Sequence, residues 1–455
     1  MGPRVAESIL ELVGGTPLVR LKKVTRGVRA KVYAKLEFFN PGGSVKDRIG
    51  LSMILDAERK GLIKPGATIV EPTSGNTGMG LALAAIHRGY KVVFTVPDKM
   101  SRDKIDLLRA VGARVRVTPS NVPPGHPESY VEVAKRITKR TPGAFMPNQY
   151  ENAANPRAHY ETTGPEIWEQ TDGKLDVLVV GVGTGGTISG TAKFLKEKDP
   201  SIRVVGVDPE GSILAELFRG KKSRALAYKV EGIGEDFLPK TLDMKVIDDF
   251  VTVSDKEAML MTRRLAREEG ILAGSSSGAA VLGALRASRG LGSSKTVVVI
   301  LPDTGRSYLN KVYNDDWMEE HAFLPSRGRK VSVRSLMKSS ADGGPGFVSV
   351  PPSRKVSAVL RLMADRKLTH LLVVRGEVQV GCLSGLALIR AAVRPGPRGK
   401  VEECMGPPLP SVQLKAKMLI PGTLLGNAGA VAVLDGRKIV GVLTIADVIN
   451  YLAET

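Results

Sequence analysis

The 455-residue chain is 42% hydrophobic and 25% charged, which suits two or three folded domains and excludes wholesale disorder. It has no apolar run near the ~18 residues needed to span a bilayer, and only two cysteines, Cys382 and Cys404, so a disulfide framework or a zinc–thiolate site is excluded. The net charge of +20 is spread along the chain without a dense run or interleaved aromatics, so it reads as a basic surface and no nucleic-acid partner is expected. Charges at Arg4, Glu7 and Glu11 leave no apolar stretch for a signal peptide. The expectation is a cytoplasmic protein without a membrane partner. Five scattered histidines make a metal site a poor expectation as well.

In chain order, the first feature is a Pro-Gly-Gly turn, Asn40 to Gly43, leading into Ser44-Val45-Lys46-Asp47-Arg48, where Ser44 is a good N-cap and predicts a helix start. Most lysines are simply surface residues. Lys46, in the first turn after a glycine turn, is held near whatever binds there, and a partly neutral amine can form a Schiff base with a carbonyl or with pyridoxal phosphate. Next, the strand-like Thr68 to Val70 runs into Glu71-Pro72-Thr73-Ser74-Gly75-Asn76-Thr77-Gly78 before a predicted helix, Met79 to Arg88. So many small hydroxyl and glycine residues exceed what capping needs and suggest a cradle for a carboxylate or phosphate.

Further β-branched runs, Val92 to Val96, Val177 to Val182, Val204 to Val207 and Val297 to Leu301, alternate with amphipathic segments and predict a parallel sheet covered by helices on both faces. After the second run comes the glycine loop Gly181 to Thr187. Gly181, Gly183 and Gly186 satisfy G-x-G-x-x-G, with Asp208 at the spacing of a ribose-binding acid, which alone would suggest a nicotinamide oxidoreductase. The same backbone N–H groups serve a lone phosphate equally well, and a nicotinamide enzyme needs neither the Lys46 turn nor the Thr73 to Thr77 loop. Ala273 to Gly278 reads as a capping turn, and Leu301 to Gly305 as the floor of a pocket.

Residues 324–346 are rich in Pro, Gly, Ser and basic side chains and read as a linker and lead-in between residues 1–323 and 347–455. The last part repeats with an offset of 60 residues: Val373 to Gly376 matches Val433 to Gly436, and Gly381 to Ser384 matches Gly441 to Thr444. Each copy, about 331–395 and 400–455, reads strand, turn, strand, helix, so the two should pair face to face. The expected fold class is α/β with an α+β tandem module at the C-terminal end.

Taken in this order, Ile9 to Leu18, Ser44 to Arg48, Thr73 to Thr77, Gly183 to Thr187 and Ala273 to Gly278 resemble the fold-type II pyridoxal-phosphate enzymes of the cysteine synthase and cystathionine β-synthase family. The resemblance implies two open parallel-sheet α/β lobes. It implies that Lys46 carries the cofactor and moves the Cα proton, that Asn76 lies beside the ring hydroxyl, that Gly183, Thr184, Gly185, Gly186 and Thr187 hold the phosphate, and that Ser276 faces the pyridine nitrogen. Thr73, Ser74 and Thr77, with Gln149, would hold the substrate carboxylate; Tyr150 and Gly234 complete the expected substrate set. Asn148-Gln149-Tyr150, Val230 to Phe237 and Asn314 to Met318 resemble the cystathionine β-synthase branch, and the repeat resembles its tandem Bateman module. The implied reaction condenses L-serine with L-homocysteine; the alternative joins O-acetylserine or O-phosphoserine with sulfide. No haem is expected, because the chain begins shortly before the first motif. A homodimer or homotetramer is expected. Thr444 and Asp447 are the expected contacts for S-adenosylmethionine or another adenosyl ligand, although they could equally be a helix cap, and Pro421-Gly422 interrupts a helix that such a ligand pocket ordinarily uses.

Overall fold

The apolar β-branched runs become strands because a parallel sheet buried on both faces accepts Val and Ile on either side. In the computed structural model, which describes residues 5–73, 75–98, 100, 102–119, 122–123, 125–325, 329–338, 347–366, 368–385, 387–389, 398–420 and 429–454, a six-stranded sheet has the order Leu18–Arg20, Lys31–Leu36, Thr296–Leu301, Val177–Gly181, Arg203–Pro209, Asp249–Val253. All its pairs are parallel except the first. Every residue of Thr296–Leu301 is buried. On one face, Leu178, Val180, Val298, Ile300 and Phe250 pack with Ile188 and Leu195 of the helix Gly186–Lys198. A second, three-stranded sheet orders Thr68–Pro72, Lys91–Pro97 and Arg114–Thr118. The chain is thus α/β with two open sheets, followed by small mixed sheets and helices.

Two compact units can be delimited: Met1–Phe94, Ser101–Val115 and Ile137–Asn314 form one; Thr95–Met100, Arg116–Arg136 and Asp315–Thr455 form the other. In the first, two helices cross without side chains between them. A Cβ on Gly50 would lie 2.2 Å from the carbonyl carbon of Gly80, and one on Gly80 only 2.3 Å from the Lys46 carbonyl oxygen. The helices Lys46–Arg59 and Asn76–His87 therefore touch backbone to backbone directly behind Lys46.

The second unit shows the 60-residue repeat in its backbone. The hairpins His370–Arg375/Val378–Ser384 and Ala430–Asp435/Lys438–Thr444 are antiparallel, and each shifts register at equivalent places, Val373/Val374 and Val433/Leu434. Gly376 and Gly436 open the tight turns with positive φ (62° and 63°), as short hairpin turns require. The symmetry then breaks. The first copy has the helix Val356–Asp365, whereas the second has a strand, Lys417–Ile420, that pairs antiparallel with Arg329–Ser332. Pro421 and Gly422, expected to interrupt a helix here, lie outside the described residues. Part of the expected linker is consequently a strand and a helix, Val333–Lys338, whose Val331, Val333 and Leu336 share a core with Met418, Val431, Val433 and Leu443 of the second copy. Among the described residues no helix is long and apolar enough to cross a membrane, and no three or more His, Cys, Asp or Glu side chains cluster as metal ligands.

Candidate active site

Lys46 begins its helix, with Val45 at the N-cap; the expected cap, Ser44, sits one residue earlier and accepts the Lys46 backbone N–H (3.2 Å). The turn before it is tied to the end of the buried strand Thr296–Leu301. Val45 N donates to Pro302 O (2.8 Å), and Thr304 N donates to Gly43 O (3.1 Å). Gly43 takes φ +79° to make this approach. Burial lowers the Lys46 amine to about 8, opposed by the carboxyls of Glu235 and Asp303. Such an amine is partly neutral near pH 7, as a nucleophile or base must be.

The second loop meets the same floor. Asn76 Nδ2 donates to Asp303 Oδ2 (2.7 Å). Thr73 Oγ1 accepts from Gly75 N (3.1 Å) and Gly78 N (3.0 Å), which leaves its own hydroxyl proton to donate elsewhere. Thr77 Oγ1 donates to Gln149 Oε1 (2.7 Å). Gln149 is held by Glu71, whose carboxylate accepts both Asn148 N (2.8 Å) and Gln149 N (2.9 Å). Thr77 and Gln149 are thus joined directly, and Thr73 and Asn76 stand in the same loop; Ser74 lies outside the described residues.

The third loop admits only glycine at three positions. A Cβ would lie 2.7 Å from Gly232 O at Gly183, 2.4 Å from Leu242 Cβ at Gly185, and 1.9 Å from Asn155 Oδ1 at Gly186. Gly185 is the N-cap of a 13-residue helix and provides no side-chain acceptor, and the bond from Gly186 N to Thr184 Oγ1 is long (3.5 Å). This positive helix end suits a phosphate. Around it, Asn155 Nδ2 donates to Thr184 Oγ1 (3.2 Å), and Thr241 Oγ1 donates to Thr184 O (2.6 Å). Thr187 Oγ1 pairs with His159 Nε2 (3.1 Å), and burial pushes that histidine down to about 3, so it is neutral. Ser276, 2% exposed, lies in the first turn of Ser275–Ala287, and a Cβ on Gly232 would sit 3.9 Å from its Oγ. Asp208, the residue that completed the dinucleotide pattern, accepts Ala215 N (2.9 Å) at a helix start and is fully buried. It is a structural cap.

A further set of groups is not apparent in the sequence. Lys104 Nζ, buried, donates to Glu231 Oε2 (2.9 Å) and Tyr308 OH (3.0 Å); Tyr308 OH donates to Asp303 Oδ2 (2.5 Å), the same oxygen that takes Asn76. The other cluster surrounds Arg48. Its guanidinium donates to both oxygens of Glu37 (2.7 and 2.8 Å) and both of Glu166 (2.6 and 2.7 Å), and Lys35 Nζ joins Glu166 at 2.6 Å. In the second unit, Thr444 and Asp447 cap their own helix: Thr444 Oγ1 donates to Asp447 Oδ2 (2.7 Å), and Asp447 N to Thr444 Oγ1 (3.4 Å).

Residues 9–303 match the family described as pyridoxal-phosphate dependent enzyme. The chain belongs to that family. It is 51% identical over 324 residues to cystathionine beta-synthase of Oryctolagus cuniculus, which covers 71% of this chain and 59% of that protein. The chain therefore spans less than two thirds of that relative. To cystathionine beta-synthase of Saccharomyces cerevisiae it is 40% identical over 412 residues, 85% of this chain and 81% of that one. The crystal structure of O-acetylserine dependent cystathionine beta-synthase from Helicobacter pylori superposes with a TM-score of 0.64 at 40% identity, covering 69% of this chain and all of that one. The residues present fit the cofactor of this pyridoxal-phosphate-dependent enzyme. The glycine cradle at a helix N-terminus suits its phosphate, the low amine of Lys46 its carbonyl, and the buried hydroxyl of Ser276 its ring nitrogen.

Proposed function

We propose that the chain carries out β-replacement, joining L-serine and L-homocysteine to give L-cystathionine and water. The observation that carries this reading is one low-pKa lysine within electrostatic reach of Asp303, which holds Asn76 of the hydroxyl and amide loop, and of His159, which holds Thr187 of the glycine loop. The likeness to relatives named cystathionine beta-synthase supports the choice of substrates. When bound, the cofactor supplies an electron sink that makes the Cα–H acidic and lets the β-substituent leave. The protein does the rest. Lys46 Nζ takes and returns the Cα proton; Thr73, Ser74, Thr77 and Gln149 hold the amino-acid carboxylate; Gly183 to Thr187 hold the phosphate; Tyr150 and Gly234 bound the acceptor side. The decisive experiment offers serine or O-acetylserine against homocysteine or sulfide and identifies the product. Cystathionine from serine supports the proposal, and cysteine from sulfide alone overturns it.

Ser276 sets the reaction type in this reading. A neutral hydroxyl beside the pyridine nitrogen draws less charge into the ring than a carboxylate would, which favours β-loss over reprotonation. Ser276→Asp is expected to lower kcat for β-replacement and to change the cofactor spectrum; unchanged kinetics would make Ser276 a loop residue only.

The protein is further proposed to be a cytoplasmic homodimer or homotetramer, and the C-terminal pair to take at most one adenosyl ligand, S-adenosylmethionine, at Asp447. Thr444 holds one oxygen of that carboxylate, Oδ2, at 2.7 Å. A ligand that binds the folded form raises Tm, so S-adenosylmethionine should raise it in the parent and not in Asp447→Ala. No shift in either, and no heat by calorimetry, would leave the pair as a structural module.

A further inference from the structure

One half-buried carboxyl within electrostatic reach of Lys46 has no part in the roles above. Glu235 lies in the loop Glu231 to Phe237, which is fastened to the phosphate loop at Gly234, whose N–H donates to Val182 O (2.7 Å). The Glu235 backbone is held twice by Ser212: its N–H donates to Ser212 Oγ (3.0 Å), and Ser212 Oγ donates to its carbonyl (3.2 Å). Gly232 and Gly234, at φ +88° and +80°, both turn the chain just before it. Gly234 is closely packed: a Cβ there would meet Pro209 at 2.6 Å and the Tyr228 hydroxyl at 2.8 Å. The Glu235 side chain hydrogen-bonds that of Tyr150, whose ring meets Phe237 edge-on at 5.1 Å, and it lies within electrostatic reach of the Lys46 amine. The groups around it are thus Asp236, Tyr150, Lys46, Asp208 and Tyr228.

We propose that Glu235 is a second catalytic residue: as a carboxylic acid it protonates the departing β-oxygen, and as a carboxylate it then takes the proton of the incoming thiol. This rests on the β-replacement reading. When the Cβ–O bond breaks, its electron pair leaves on oxygen, and the Glu235 proton completes a water molecule. When the S–Cβ bond forms, the S–H proton returns to Glu235, so the acid is restored at each turnover. Lys46 keeps the Cα proton throughout. Burial and the neighbouring Asp236 push the Glu235 carboxyl up to about 8, against the Tyr150 hydrogen bond and Lys46, so the acid form prevails at neutral pH. Such an acid matters only for a poor leaving group. Hydroxide needs the proton; acetate does not.

The test uses the full-length holoenzyme and the first half-reaction, without thiol, followed by stopped-flow absorbance with serine and with O-acetylserine. In Glu235→Gln the serine rate is expected to fall about 100-fold, the lower end for loss of a general acid, and by at least tenfold more than the O-acetylserine rate. The decline of the parent's serine rate as pH rises through about 8 should vanish, and Glu235→Asp should recover part of the loss. Infrared difference spectra between neutral and alkaline pH should lose one carboxylic-acid band in Glu235→Gln, provided Tm and cofactor content match the parent. Equal losses with both donors would assign leaving-group protonation to another group. In a parallel steady-state assay with homocysteine added, a change confined to the KM for homocysteine would make Glu235 a binding residue, and either result overturns the proposal. If the parent converts neither donor, it is the β-replacement reading that fails.

Discussion

Lys46→Ala should abolish turnover and erase the lysine-linked absorbance of the purified protein. The expected loss is at least the 10²–10⁴-fold typical of a missing general base, because the same ε-amino group is also the nucleophile that would hold the cofactor. Borohydride reduction of the parent followed by peptide mass spectrometry should place the phosphopyridoxyl mass on the peptide containing Lys46. Label on another lysine, or near-normal turnover in Lys46→Ala, would move the reactive amine elsewhere.

The second large effect concerns the Arg48 cluster, two residues further along the same helix. Glu37 and Arg48 are fully enclosed, and Glu166 is only 19% exposed at its side chain. Removing one partner from such a group leaves uncompensated charge in a low dielectric, at a cost of about 3–5 kcal/mol. Arg48→Met should therefore lower the urea midpoint steeply and, by loosening the helix start, reduce activity too. Arg48 and Lys35 hold the Glu166 carboxyl down to about 2 despite its burial. A carboxyl with a depressed folded pKa contributes stability that is full above its ordinary value of about 4.3 and is lost as pH falls towards about 2. Denaturant curves between these pH values should show that acid sensitivity in the parent and much less of it in Arg48→Met. A variant as stable as the parent would show the cluster to be energetically neutral.

The parts of the site built from contiguous residues were readable in advance. Pro41 to Lys46, Thr73 to Thr77 and Gly183 to Thr187 each combine strand, turn and helix start within a few residues, so local backbone chemistry fixes their form. Strand positions followed from the same logic, with boundaries off by a residue or two: Arg203–Pro209 where Val204 to Val207 was expected. What could not be read was pairing at a distance. Lys104 and Tyr308 are 204 residues apart, and Arg48 and Glu166 are 118 apart; nothing local marks them as partners. The Gly50–Gly80 contact was hidden for a similar reason, since each glycine alone looks like an ordinary weak point in a helix. Asp208 shows the reverse error. Its spacing satisfied a ligand pattern, yet its oxygen caps a helix.

The strand Arg329–Ser332 and its partner Lys417–Ile420 reach across the whole of the first repeat. Val331, Val333 and Leu336 find their apolar neighbours Met418, Val431, Val433 and Leu443 only after about eighty further residues have been made, so the segment that leads into the first copy is completed by the second. A ribosome must finish the second hairpin before the first strand of the module can settle, which is slow long-range pairing of the kind that leaves apolar surface open in the interval. For anyone shortening the protein, a cut between the repeats would leave the strand Arg329–Ser332 without its partner Lys417–Ile420 and expose a sticky edge.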